Sequence, residues 1–139
     1  MRIRTNILAG GALAAAVACA DTTGVSVDDL EGTWNATAFE FTDQTNTSQQ
    51  VDLISLGATY TLTIESPNAV SSVFIFEGNT DSNSNNFTIS RDTLVANGDT
   101  FIVDLTGDVL LLTNLGEAFD FDDDGSDDPA TLRIELVRQ

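Results

Sequence analysis

Six carboxylates fall in nine residues near the C-terminal end of the chain, Asp120-Phe121-Asp122-Asp123-Asp124-Gly125-Ser126-Asp127-Asp128. Asp120, Asp122, Asp124 and Gly125 read D-x-D-x-D-G. In that pattern alternate carboxylates converge on one ion, and the glycine permits the sharp turn that brings them round. Ser126 could add its carbonyl, and Asp128 could bind directly or through water. Asp120, Asp122, Asp124, Ser126 and Asp128 are therefore a candidate calcium set. An EF-hand would place a bidentate Glu twelve residues from the start, where this chain has Thr131, and would flank the loop with helices. Strand-like patterning flanks it instead, so the segment reads as a loop joining the last two strands. Close carboxylate pairs repel by about 1 kcal/mol each even in water. The loop must either gather round a cation or splay into solvent, and both readings stand. A bound ion would be structural, tying the last strand to the rest.

The remaining chemistry is narrow. The 139 residues include 22 Asp and Glu, five Arg, one Cys, no Lys and no His, for a formal net charge of -17. Without His there is no Ser-His-Asp or Cys-His catalysis. Without Lys there is no Schiff base and no phosphate-loop lysine. One Cys makes neither an internal disulfide nor a zinc site. Nucleic acid would be repelled by so negative a surface. Carboxylate pairs are too numerous for any one to signal catalysis, and the chain is expected not to be an enzyme.

The one Cys has a better use. Met1-Arg2-Ile3-Arg4 is a short basic segment, and residues 7–18 are apolar or small and carry no charge. Twelve such residues are too few to span a bilayer but suit the apolar region of a signal peptide. The run ends Ala16-Val17-Ala18-Cys19, which resembles a bacterial lipobox, with Ala16 where Leu is usual. That resemblance implies a signal peptide over 1–18, a lipid on Cys19, and attachment to the bacterial cell envelope, at the outer membrane or cell surface. Removal of the first 18 residues leaves 121, and the loss of Arg2 and Arg4 makes the chain two charges more negative. Residues 19–25 then read as a tether and 26–139 as one domain.

Within that domain the signal is almost all β. Period-two alternation places Tyr60, Leu62 and Ile64 on one face, and likewise Phe87 with Ile89, Phe101 with Val103, and Leu132 with Ile134 and Leu136. Strands are expected near 32–41, 50–55, 59–66, 70–77, 86–91, 93–97, 99–105, 108–114 and 130–138, with 118–121 a further candidate. Asn97-Gly98 suits a type I′ hairpin and Gly107-Asp108 a type II′ hairpin. Residues 43–50 and 81–86 read as polar loops. Ser26 to Leu30 read as one helical turn capped by Ser26. About eight or nine short strands joined by tight turns predict a small up-and-down antiparallel barrel, with a β-sandwich as the alternative.

A short helical turn followed by Gly32-Thr33-Trp34 resembles the start of lipocalin-like barrels. The resemblance implies that Trp34 plugs the closed end beside Gly32, and that an Arg late in the last strand covers it. Arg138 shares a face with Leu132, Ile134 and Leu136, and an indole gives an inward guanidinium a partner. Trp34 as a plain core aromatic remains the alternative. The resemblance also implies a small hydrophobic or amphipathic ligand inside the barrel, lined by Tyr60, Leu62, Ile64, Phe87 and Phe101. An eight-stranded barrel can equally be filled by its own side chains. That leaves a second reading, an envelope lipoprotein with a filled core, a calcium-stiffened loop and a structural or interaction role.

Overall fold

A computed structural model describes residues 24–139. The expected signal peptide and Cys19 lie outside the described residues. One helical turn, α1 (Val27–Leu30), leads into nine strands: β1 (Gly32–Asp43), β2 (Gln50–Asp52), β3 (Thr59–Glu65), β4 (Ala69–Phe76), β5 (Asn79–Ser90), β6 (Thr93–Ala96), β7 (Asp99–Thr106), β8 (Val109–Phe119) and β9 (Asp128–Arg138). All pairings are antiparallel: β1 pairs with β3, each strand from β3 to β8 pairs with the next, and β9 returns to pair with β1. Eight strands therefore close into an up-and-down barrel of lipocalin-like layout, and the sandwich alternative falls away. The short β2 lies outside the ring, alongside Glu40, Phe41 and Thr42 of β1.

Tight turns do much of the closing. Asn97 and Gly98 both have positive φ (54° and 89°), as a type I′ turn requires, and so do Glu77 and Gly78 (51° and 83°). A side chain at Gly98 would meet open space, so its cost would be conformational alone. Gly98→Ala is expected to destabilise the barrel by about 1 kcal/mol. A denaturation midpoint equal to that of the parent would show that the turn does not need glycine.

The strands run between two different ends. At the closed end lie α1, the 91–92 and 107–108 turns, and both ends of the described chain. Ser26 caps α1 as expected, accepting from Asp29 N, while the Asp29 carboxylate accepts from Ser26 N at 2.9 Å. The core lies here: Leu30, Trp34, Ile64, Leu110 and Leu136 are fully buried, with Phe87, Leu94, Val103 and Ile134 close behind. Gly24 and Val25 belong to this end as well. Val25 N donates to Arg91 O at 2.9 Å, and the Val25 side chain packs against the core. A Cβ on Gly24 would come within 2.6 Å of the Arg91 backbone. Two residues of the expected tether are thus part of the barrel.

Two local departures from simple alternation shape the other end. In β1 the register with β9 slips between Ala36 and Ala38, so Thr37 forms a bulge and its hydroxyl lies 3.0 Å from Glu135 Oε1. The extra residue switches the parity of the strand. Trp34 and Ala36 face inward before the bulge; Phe39, Phe41 and Asp43 face inward after it. In β8 a second slip spans Leu115 and Gly116, so β8 continues to Phe119 where sequence patterning ends it near 114. Gly116 is a bulge residue within this strand.

The segment 81–86 is a clear correction to the sequence reading. Asp-Ser-Asn-Ser-Asn-Asn reads as a loop, yet it lies within β5. Residues 79–86 pair with β4 along its whole length, from Phe76↔Asn79 to Ala69↔Asn86. Backbone pairing to β4 therefore outweighs the poor strand propensity of Asn and Ser. Only Phe87 to Ser90 pair with β6. The wall between the first half of β5 and the β6–β7 hairpin is consequently unpaired, and the barrel opens sideways there.

Candidate functional site

The site is a pocket inside the barrel at this opening, with a volume of about 140 Å³. Its floor is apolar: Leu62 of β3, Val70 of β4, Leu94 and Ala96 of β6, Phe101 of β7 and Leu112 of β8. Tyr60 and Ser72 form one side. Asn83 and Asn85 of β5 and Asn97 and Asp99 of the β6–β7 hairpin form the lip. Register explains why the space is unfilled. Leu62, Ser72 and Asn83 lie abreast across β3, β4 and β5, so a small hydroxyl and an amide face the interior where a large apolar group would close it. Ala96, abreast of Phe87, is also too small to fill its position. Burial raises the Tyr60 hydroxyl above its ordinary pKa, and a hydrogen bond with Ser72 offsets part of that rise.

Above the pocket the mouth carries a continuous row of aromatic rings. Phe39 lies 5.2 Å from Tyr60 and 5.3 Å from Phe74, Phe41 stacks on Phe119 at 4.7 Å, and Phe119 lies 5.0 Å from Phe121. Offset and edge-on contacts of this kind are favourable beyond area burial. All of these rings are partly exposed.

Carboxylates stand among them. Asp43 is buried, and its Oδ1 accepts from Thr45 N, Thr45 Oγ1 and Asn46 N at 2.6, 2.8 and 3.1 Å. Those donors hold its carboxyl below the ordinary range, the Thr45 hydroxyl most of all. Glu117, abreast of buried Ala130, accepts from Asn114 Nδ2 at 2.8 Å. Burial and then the nearby Asp99 carboxylate push the Glu117 carboxyl up.

The acidic loop borders the same mouth. One carboxylate oxygen from each of Asp120, Asp122 and Asp124 lies within 4.8 Å of the other two. Calcium takes oxygens at 2.3–2.6 Å, so oxygens spaced this closely can share one ion. The hard, all-oxygen donor set suits calcium as well. The loop folds on its own carboxylates: Asp120 accepts from Gly125 N at 2.9 Å and Asp124 accepts from Ser126 N at 2.8 Å. Hydrogen bonds from backbone N–H groups, Gly125 first, hold the Asp120 carboxyl below its usual range. Asp128 stands apart from this triplet, and burial followed by the charge of Asp122 raises its carboxyl.

At the closed end the structure brings Trp34 and Arg138 together. The guanidinium carbon sits 4.2 Å from the indole centroid. Arg138 also donates to the carbonyls of Glu31 (2.6 Å) and Asp29 (2.8 Å), the free carbonyls that α1 leaves at its end. Gly32 has φ of 134°, and a Cβ there would meet Arg138 Nη1 at 3.1 Å. The spacing G-x-W thus clears room for the arginine.

Of the five lining residues expected from sequence, Tyr60, Leu62 and Phe101 meet in the pocket. Ile64 and Phe87 do not; both are buried toward the closed end and fill the core. Asn83, Asn85, Asn97 and Asp99 escape sequence reasoning. The available signal is Glu77-Gly78: a two-residue turn after an eight-residue strand returns a partner of similar length. Compared with known protein families, curated proteins and solved structures, the chain matches none of them significantly.

Proposed function

We propose that this is a lipid-anchored protein of the bacterial cell envelope that binds a small amphipathic ligand in its barrel, as the lipocalin-like start at Gly32-Thr33-Trp34 suggests. The observation that carries the reading is the pocket itself: an apolar floor, a polar lip and a lateral opening in the wall. At about 140 Å³ it is smaller than the usual range for drug-sized ligands, about 300–1,000 Å³, and takes one ring or a chain of about six carbons. The ligand's apolar end rests on Leu62, Leu94 and Leu112, and its polar end meets Asn83, Asn85 and Asp99. The lipobox-like Ala16-Val17-Ala18-Cys19 supports the anchor.

Chemical-shift titration of the folded domain with hexan-1-ol tests the pocket. Saturable shifts are expected at residues of β3, β6 and β7, and Ala96→Leu, which fills the space, should abolish them. Shifts that do not saturate, or that persist unchanged in Ala96→Leu, would overturn the reading.

A second reading, a calcium-stiffened loop, is favoured by the three convergent oxygens of Asp120, Asp122 and Asp124. It is compatible with ligand binding, since the loop borders the mouth.

A further inference from the structure

We infer that the ligand is cationic: an organic ammonium whose apolar part fills the pocket and whose charge sits at the lip between aromatic faces and carboxylates. This rests on the proposal that the pocket binds a ligand, and names its charge.

The first observation is the distribution of charge. Strand alternation and register turn Asp81 and Asp99 toward the inside of the mouth, abreast of Phe74 and Ala96 respectively. Glu117 and Asp43 face inward too, one on either side of Ala130. Asp99 lines the pocket directly. No cation answers these four carboxylates among the described residues. Arg91 lies in the closed-end turn, Arg133 pairs with Glu135 at 3.4 Å on the opposite face of β9 from Leu132 and Ile134, and Arg138 is committed to Trp34. The chain has no Lys and no His.

The second observation is what lies beneath. Tyr60 and Phe101 line the pocket, and Phe39 packs on Tyr60. Aromatic faces attract a cation and tolerate a neutral chain. Asn114 meanwhile turns its amide N–H toward Glu117, which leaves Asp99 to meet an incoming charge. An anionic ligand such as a fatty acid would bring a further negative charge into this region. A neutral one would leave the lip's charge unanswered. An ammonium satisfies both the floor and the lip.

Three probes of equal chain length separate this inference from the reading beneath it: hexylamine in its protonated form, hexan-1-ol and hexanoate, each titrated into the folded domain at neutral pH. Hexylammonium is expected to bind roughly tenfold more tightly than hexan-1-ol, with hexanoate weakest. Glu117→Gln, which lies outside the pocket lining, should lower the hexylammonium affinity several-fold and leave hexan-1-ol unchanged; Asp99→Asn, which keeps a hydrogen-bonding group at the lip, should lower the hexylammonium affinity several-fold and that of hexan-1-ol far less. Both replacements keep shape and remove one negative charge, so folding should survive. Equal, saturable binding of the amine and the alcohol would overturn the cationic inference and leave the pocket reading standing. A preference for the amine that survives in the double variant would overturn the role of these carboxylates. Saturable binding by none of the three would overturn both.

Discussion

Trp34→Ala should lower the stability of the barrel by about 3–5 kcal/mol, a large share of the 5–15 kcal/mol that holds a typical domain folded. Three losses coincide there. The fully buried indole leaves a cavity among Leu30, Ile64 and Leu136. Its Nε1–H no longer donates to the buried carbonyl of Leu30, a bond of 2.8 Å. Arg138 loses the ring it covers while remaining tied to the Asp29 and Glu31 carbonyls. Trp34→Phe keeps most of the volume but leaves the Leu30 carbonyl unpaired, at a cost of about 1–3 kcal/mol. Urea unfolding at constant slope measures both variants. A loss below about 1 kcal/mol for the alanine variant would mean that α1 and the closed end contribute little to the cooperative unit.

Calcium should raise the melting temperature by several degrees at about 10 mM, and a chelator should reverse the rise. An ion that binds only the native state at a hundred times its dissociation constant adds about 2.7 kcal/mol. Weak extracytoplasmic sites have dissociation constants of about 0.1–1 mM, which sets the concentration needed. The gain comes from relieving repulsion among Asp120, Asp122 and Asp124, whose oxygens already lie within 4.8 Å of one another. Magnesium should do less, since it demands tighter octahedral geometry and gives up water reluctantly. Asp122→Ala should remove the calcium response without unfolding the protein, because its carboxylate makes only a local 3.2 Å contact with Asp124 N. A melting temperature unmoved by millimolar calcium would reduce the loop to a solvated acidic turn.

The barrel is legible in the sequence wherever apolar residues alternate. Tyr60-Leu62-Ile64 and Leu132-Ile134-Leu136 announce their inner face, and Asn97-Gly98 announces its turn. The pocket is only half legible, for a physical reason. Tyr60, Leu62 and Phe101 follow from alternation, but alternation says nothing of depth, so Ile64 and Phe87 look equally eligible although the closed end consumes them. The lip is hidden because Asn83 and Asn85 are polar residues on an inward face, where pattern reading expects apolar ones. They are strand residues through pairing with β4, which no local propensity reports. The Thr37 bulge is hidden for a similar reason. A single inserted residue leaves no mark in composition, yet it turns Phe39 and Phe41 inward and Glu40 outward. The close approach of Trp34 and Arg138 follows from parity and the resemblance together; neither alone identifies the pair.

The attachment of Gly24 and Val25 to the 91–92 turn bears on how the molecule would stand at a membrane. If Cys19 carries the lipid, only four residues lie between it and Gly24, and the five Cα-to-Cα steps reach at most about 18 Å when fully extended. That leash ends at the floor of the barrel, so the protein would stand like a cup on its base, rim outward. The aromatic row, the acidic loop and the lateral slit would then face the surrounding medium instead of the lipid. A ligand would then arrive from solution.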